Sequence, residues 1–182
     1  MANLGLGWTA RSAFAHLVWC MRFFPMGDSS MLKPILLVED DLRDLELTLI
    51  ALERTGLANQ VIILRDGVEA LDYLFRRNEF ADRPEGHPSV VLLDLKLPKL
   101  DGLGVLEAVR ADEQLRHIPI AMLTSSRMES DLARAYELGV NSFVVKPFEF
   151  DGFMEAISKL GLFWAVVNEP PLGSVRRAFE RA

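Results

Sequence analysis

The run Val90-Val91-Leu92-Leu93-Asp94-Leu95-Lys96-Leu97-Pro98 carries the clearest structural signal in the chain. Its first four residues are all apolar and begin with two β-branched side chains. Such a short continuous run reads as a strand buried on both faces, as in a parallel sheet covered by helices. A carboxylate then ends the run abruptly. Upstream, Ile35 to Val38 follows Pro34 as a similar run, and Val61 to Leu64 is another. Downstream, Ile118 to Leu123 gives a fourth strand, with Pro119 tolerable near its start, and Phe143 to Val145 a fifth. The intervals carry helical spacing: Leu42, Leu45, Leu49 and Leu52; Val68, Leu71 and Leu74; Leu103, Leu106 and Val109; Leu132, Ala135 and Leu138. Gly56 and Gly139 supply helix stops. A final helix carries Phe150, Phe153, Ile157 and Leu160.

Strands alternating with helices imply right-handed crossovers and a doubly wound α/β domain. Five units fit a flavodoxin-like parallel sheet of order 2-1-3-4-5, with ligand bound outside the C-terminal strand edge. The 182 residues leave a surplus over that core, which we divide as an extension (1–32), the domain (33–168) and a tail (169–182). Half the residues are hydrophobic and a quarter charged, an ordinary globular balance. The net charge of −6 argues against a nucleic-acid-binding surface. Cys20 is the single cysteine, so no intrachain disulfide forms, and a reducing, cytoplasmic setting is expected. Three scattered histidines cannot build a His/Cys metal cluster.

The strand ends carry the chemistry. Strand one ends in Glu39-Asp40-Asp41, strand three in Asp94, strand four in Thr124-Ser125-Ser126 and strand five in Lys146-Pro147. A parallel sheet places these ends on one edge. Converging carboxylates raise one another's pKa unless a cation neutralises them. Oxygen-only ligation points to Mg²⁺. An Asp beside a divalent ion and an ammonium is a nucleophile suited to phosphorus. Singly, an Asp at a strand end is a helix cap and Lys-Pro a turn; together, at three strand ends, they indicate a site. Asp41 is read as an N-cap and not a ligand.

From Lys33 to about Asn168 the chain resembles the receiver domain of two-component response regulators. The resemblance rests on Val38-Glu39-Asp40, on Leu92-Leu93-Asp94-Leu95-Lys96-Leu97-Pro98 with Asp101-Gly102, on Leu123-Thr124-Ser125 and on Val145-Lys146-Pro147. It implies that Asp94 accepts phosphate from a sensor histidine kinase. It also implies that Glu39 (through water), Asp40, Asp94 and the backbone carbonyl of Lys96 hold Mg²⁺. Thr124 and Lys146 would bind the phosphoryl group, Phe143 would act as a switch residue or simply pack in the core, and the Lys146–Pro147 bond would be cis. Lys96 and Ser126 flank the site where family members tune dephosphorylation. Activity would be that of a phosphoacceptor and not of an enzyme.

The segment Asn78 to Pro84, the run Tyr136 to Ser142 and the C-terminal Gly161 to Trp164 with Asn168 to Pro171 resemble, within that family, the regulators that partner bacterial and cyanobacterial phytochromes. Such relatives often dimerise through C-terminal elements, which Phe163 and Trp164 would suit, or the two could instead cover the domain's own core. A phosphatase of the aspartyl-phosphate type is an alternative, but it needs a second Asp where Lys96 stands. A flavodoxin-like cofactor binder would need a Gly/Ser/Thr-rich phosphate loop in place of Glu39-Asp40-Asp41. A degenerate receiver serving as a scaffold is argued against by the matched residues.

Residues 1–30 differ from the rest. Leu4 to Phe24 is apolar and aromatic but is interrupted by Arg11, His16 and Arg22, too broken for a membrane span or a secretory signal. Three readings stand: an upstream start with Met26 or Met31 as the true one, a flexible or weakly helical extension, and an interfacial membrane or partner-binding helix.

Overall fold

The computed structural model describes residues 33–57, 61–126 and 128–168. The expectations for the N-terminal extension, for Cys20 and for residues 169–182 lie outside the described residues. The apolar runs form strands β1 (Ile35–Val38), β2 (Val61–Leu64), β3 (Val90–Asp94), β4 (Ile120–Thr124) and β5 (Ser142–Val145). Between them and after the last run α1 (Leu42–Glu53), α2 (Gly67–Leu74), α3 (Gly102–Ala111), α4 (Glu129–Glu137) and α5 (Phe150–Leu162). All strand pairs are parallel, in the order β2-β1-β3-β4-β5. The doubly wound arrangement expected from the sequence is the one found.

Every residue of β1, β3 and β4 is buried, which explains why those runs carry no polar alternation. Strand β5, at the sheet edge, is only half-buried along its length. On one face, Leu36, Val38, Val91, Leu93, Ile120 and Met122 join Tyr73 and Leu74 of α2, Leu106 and Val109 of α3 and Ala135 of α4 in a single core. On the other, α1 and α5 pack together, burying Leu45, Leu49, Leu52, Phe153 and Ile157. Their approach is close enough that a Cβ at Gly161 would overlap the Leu52 side chain. Each buried Leu or Ile contributes about 1.5–3 kcal/mol relative to exposure.

Strand β4 begins two residues later than the apolar run suggests. Pro119 has no N–H for the ladder, although its carbonyl still accepts from Val91 N at 2.9 Å. Helix α4 also departs from expectation. Of its three periodic apolar positions only Ala135 is buried, and Leu132 is 39 % exposed.

Two arginines brace the loops. Arg83 donates to the Tyr73, Pro84 and Gly86 carbonyls at 2.7, 2.9 and 3.0 Å and lies over the Tyr73 ring. Tyr73 in turn meets Phe80 edge-on. The long segment before β3 is therefore tied to the C-terminus of α2. Arg110 donates to the Gly139 and Ile118 carbonyls and to Asn141 Oδ1, at 2.8–3.0 Å. Asn141 Oδ1 also accepts from Ile120 N, which joins the N-terminal ends of β4 and β5 to α3. The C-terminus of α5 continues as a π-helical turn, Phe163–Val167.

Candidate functional site

The sheet's C-terminal edge gathers the charged strand ends. Glu39 continues β1 by donating its N–H to Leu64 O at 3.0 Å, which turns its side chain inward and leaves it 2 % exposed. The next turn is shaped by acids. Glu39 Oε1 accepts from Asp41 N at 3.2 Å, and Asp41 Oδ1 accepts from Arg43 N and Asp44 N at 2.8 and 3.1 Å. Asp41 is thus the N-cap of α1, as its sequence position suggested. Asp94 ends β3 and is buried; its Oδ2 accepts from Lys96 N at 2.6 Å. The start of α3 passes so near that a Cβ at Gly102 would overlap the Asp94 carbonyl. Lys146 extends β5 by donating its N–H to Thr124 O at 2.7 Å, and this directs its side chain along the same edge.

The Lys146 ammonium has three protons and three carboxylates to receive them. Glu39 Oε2, Asp44 Oδ2 and Asp94 Oδ1 each lie 2.7 Å from Nζ. Burial pushes the Glu39 carboxyl up to about 7, against the pull of Lys146, with Asp94 adding to the rise. Burial likewise raises Asp94, opposed by Lys146 and by the Lys96 amide. Burial alone would lower the Lys146 pKa, but the surrounding carboxylates outweigh it and hold the ammonium charged, with a pKa above its ordinary value. Glu39, Asp40 and Asp94 bring one carboxylate oxygen each within 4.8 Å of one another. That all-oxygen set, negative beyond what one lysine neutralises, fits a hard divalent cation.

Thr124 is buried at the end of β4, one residue beyond Leu123, the register partner of Asp94. Its Oγ1 accepts from Ser126 N at 2.9 Å, and Ser126 Oγ donates to Asp131 Oδ2 at 2.9 Å. The Lys96 side chain is exposed, and its amide is the part that touches Asp94. Phe143 is half-buried against the core. It lines a groove of about 580 Å³ with Met128, Glu129, Leu132, Val145 and Pro147. One expectation is corrected. The Lys146–Pro147 bond is trans, as is every peptide bond among the described residues. The four-carbon lysine stem reaches all three carboxylates from the trans linkage, which is also the lower-energy isomer.

Two contributors escaped the sequence reading. Asp44 is the third partner of Lys146. Arg65 donates from Nη2 to the Asp40 carbonyl at 2.7 Å, tying the β2–α2 loop to the acidic turn. An acid in a first helical turn is so common that Asp44 carried no distinguishing signal.

A family model described as the response regulator receiver domain matches residues 35–158. The chain belongs to that family. Receivers are signalling modules of two-component systems. It is 66 % identical to the solved "Bacteriophytochrome response regulator RtBRR", covering 79 % of this chain and 87 % of that one with a TM-score of 0.63. It is 36 % identical to Response regulator Rcp1 of Synechocystis sp. over 75 % of this chain and 92 % of Rcp1. The crystal structure of the Mn(2+)-bound form of Rcp1 superposes with a TM-score of 0.71, covering 76 % of this chain and 99 % of that one. A 42 % identical relative is the "Probable methanogenesis regulatory protein FilR2" of Methanothrix harundinacea, over 75 % of this chain and 86 % of FilR2. Among the described residues no helix of this receiver is long and apolar enough to cross a membrane.

Proposed function

We propose that this receiver takes a phosphoryl group onto Asp94 from the phosphohistidine of a cytoplasmic sensor histidine kinase of the phytochrome type. The observation that carries the reading is Asp94 itself. Its buried carboxylate ends β3 with Lys146 on one oxygen, the Lys96 amide on the other and Glu39 and Asp40 beside it. An Asp94 oxygen attacks phosphorus, the phosphorus–nitrogen bond to the histidine breaks, and its electron pair returns to the imidazole. Lys146 offsets charge on the phosphoryl oxygens, and the Thr124 hydroxyl donates to one of them. Glu39 (through water), Asp40, Asp94 and the Lys96 carbonyl would hold Mg²⁺. When bound, the ion supplies charge neutralisation at the phosphoryl group.

The signal then leaves by protein contact. Phosphorylation favours a conformation in which Thr124 moves towards the phosphate and Phe143 follows, a shift between pre-existing states. Leu162, Phe163, Val166 and Val167 stand exposed around the terminal turn, which supports a homodimer through C-terminal elements. A sedimentation profile showing monomer at all concentrations would rule that contact out.

The reading is tested by incubating the full chain with Mg²⁺ and acetyl phosphate, then with a phosphorylated bacteriophytochrome kinase. An acid-stable, base-labile adduct is expected on the wild type, and none on Asp94→Asn. No adduct on the wild type from either donor would overturn the phosphoacceptor role. An adduct from acetyl phosphate but none from the kinase would overturn the phytochrome partnership alone.

A further inference from the structure

Asp44 lies outside the residue set of the phosphoacceptor reading, yet it holds the same ammonium at the same distance as Asp94 does. All three Lys146 N–H groups are taken by carboxylates. A phosphoryl oxygen arriving at Asp94 can therefore gain a proton donor from Lys146 only if one present partner lets go. Glu39 is a poor candidate. Its side chain is 2 % exposed, and stripping the ammonium from a buried carboxylate leaves an uncompensated charge. Asp94 is the group being modified. The Asp44 side chain is 34 % exposed, so water can replace the ammonium there at little cost.

The local chain explains why Asp44 is available. It is the third residue after the Asp41 cap, the place from which an acidic side chain ordinarily folds back onto the N-cap N–H. Here that N–H is already bonded to Glu39 Oε1, so the Asp44 carboxylate is left to face β5. Asp41 Oδ1 holds the Asp44 amide and fixes the turn from which it reaches.

We infer that Asp44 is the releasable anchor of Lys146, a positioning residue that holds the ammonium in the unphosphorylated receiver and gives it up to the phosphoryl group. The inference rests on Asp94 being the phosphoacceptor. Because the pull of Asp44 opposes donation to the phosphoryl oxygens, weakening it favours the phosphorylated form.

The test uses the full chain and measures, by titration calorimetry with Mg²⁺ present, the affinity for beryllofluoride as a phosphoryl mimic. Asp44→Asn should bind it about three-fold tighter than wild type, the scale of one partly exposed ion pair. Asp44→Glu, which restores the anionic partner, should fall back towards wild type. In a Lys146→Met background the Asp44→Asn substitution should have no effect, since there is no ammonium to release. Three outcomes overturn the inference while leaving the phosphoacceptor role intact. They are unchanged or weaker binding by Asp44→Asn, an Asp44→Glu variant indistinguishable from Asp44→Asn, and a gain that survives in Lys146→Met. Failure of the wild type itself to bind beryllofluoride overturns the underlying reading instead.

Discussion

Helices α1 and α2 begin with nearly the same local chemistry and put it to different ends. Each is capped by an aspartate at the end of a strand, Asp41 and Asp66, and each carries an acid three residues on, Asp44 and Glu69. In α2 that acid folds back, and Glu69 Oε2 accepts from Arg65 N at 2.7 Å, closing the turn on itself. In α1 the N–H of the capping residue itself is engaged by Glu39, and Asp44 looks across to Lys146. The cations differ as well. Lys146 is buried among three carboxylates, whereas Lys99 reaches Asp66 from an exposed position with a positive φ of 63°. One helix start is a local stop signal and the other is part of a charge cluster. The local sequence pattern is shared; the strand packed above it decides.

The largest difference should appear on removing the cations. Lys146→Met leaves Glu39, Asp44 and Asp94 facing one another. At pH 8 without divalent ions this should cost about 3 kcal/mol in urea unfolding. Millimolar Mg²⁺, taken up by Glu39, Asp40 and Asp94, should restore much of the loss. A variant as stable as wild type in metal-free buffer would break the contrast between the two helix starts.

Burial of Glu39, with a smaller contribution from Asp94, sets a pH dependence in the wild type. Glu39 binds its proton at about 7 when folded and at an ordinary value of 4.5 when unfolded. Between those limits the folded chain holds a proton that the unfolded chain releases. Metal-free stability should therefore rise as pH falls from 8 towards 5, by on the order of 2 kcal/mol. Asp41 and Asp66, held below the usual carboxylate range by the amides and the lysine around them, act in the opposite sense and only at lower pH. Mg²⁺ favours the ionised carboxylates and should flatten or reverse the trend. Thermal melts across that range, with and without the ion, check both signs.

The smallest effect belongs to α2. Asp66→Ala removes a cap and an exposed lysine's partner and should cost about 1 kcal/mol. Beryllofluoride affinity should not change beyond what loosening of the β2–α2 loop transmits through Arg65. A change as large as that of Asp44→Asn would erase the distinction drawn between the two turns.

Much of this was readable in the chain. Strands β1 and β2 fall on the runs that announced them, because a strand covered on both faces must be apolar at every position. Gly56 and Gly139 do adopt the positive φ expected of helix stops, at 75° and 82°. Glu39, Asp40, Asp94, Thr124 and Lys146 were visible because each ends a strand, and strand ends share an edge by topology. Asp44 and Arg65 were not. Their importance depends on which neighbour already occupies a nearby hydrogen-bond group, a three-dimensional fact without a spacing signature. Arg83 escaped for the same reason, since its partners are backbone carbonyls. The trans Lys146–Pro147 bond had no signal in the chain, since a Lys-Pro pair reads alike for either isomer.

The bracing by Arg110 has a mechanical consequence. Its guanidinium and the Asn141 side chain secure β4 and β5 where they enter the sheet, far from Thr124 and Lys146 where they leave it. Strands clamped at one end cannot slide past one another as rigid rods. A pull at the Thr124 end must bend or pivot them, so the largest excursion falls on the charged edge and the least on the clamp. The two strands then act as a short lever with its fulcrum at Arg110.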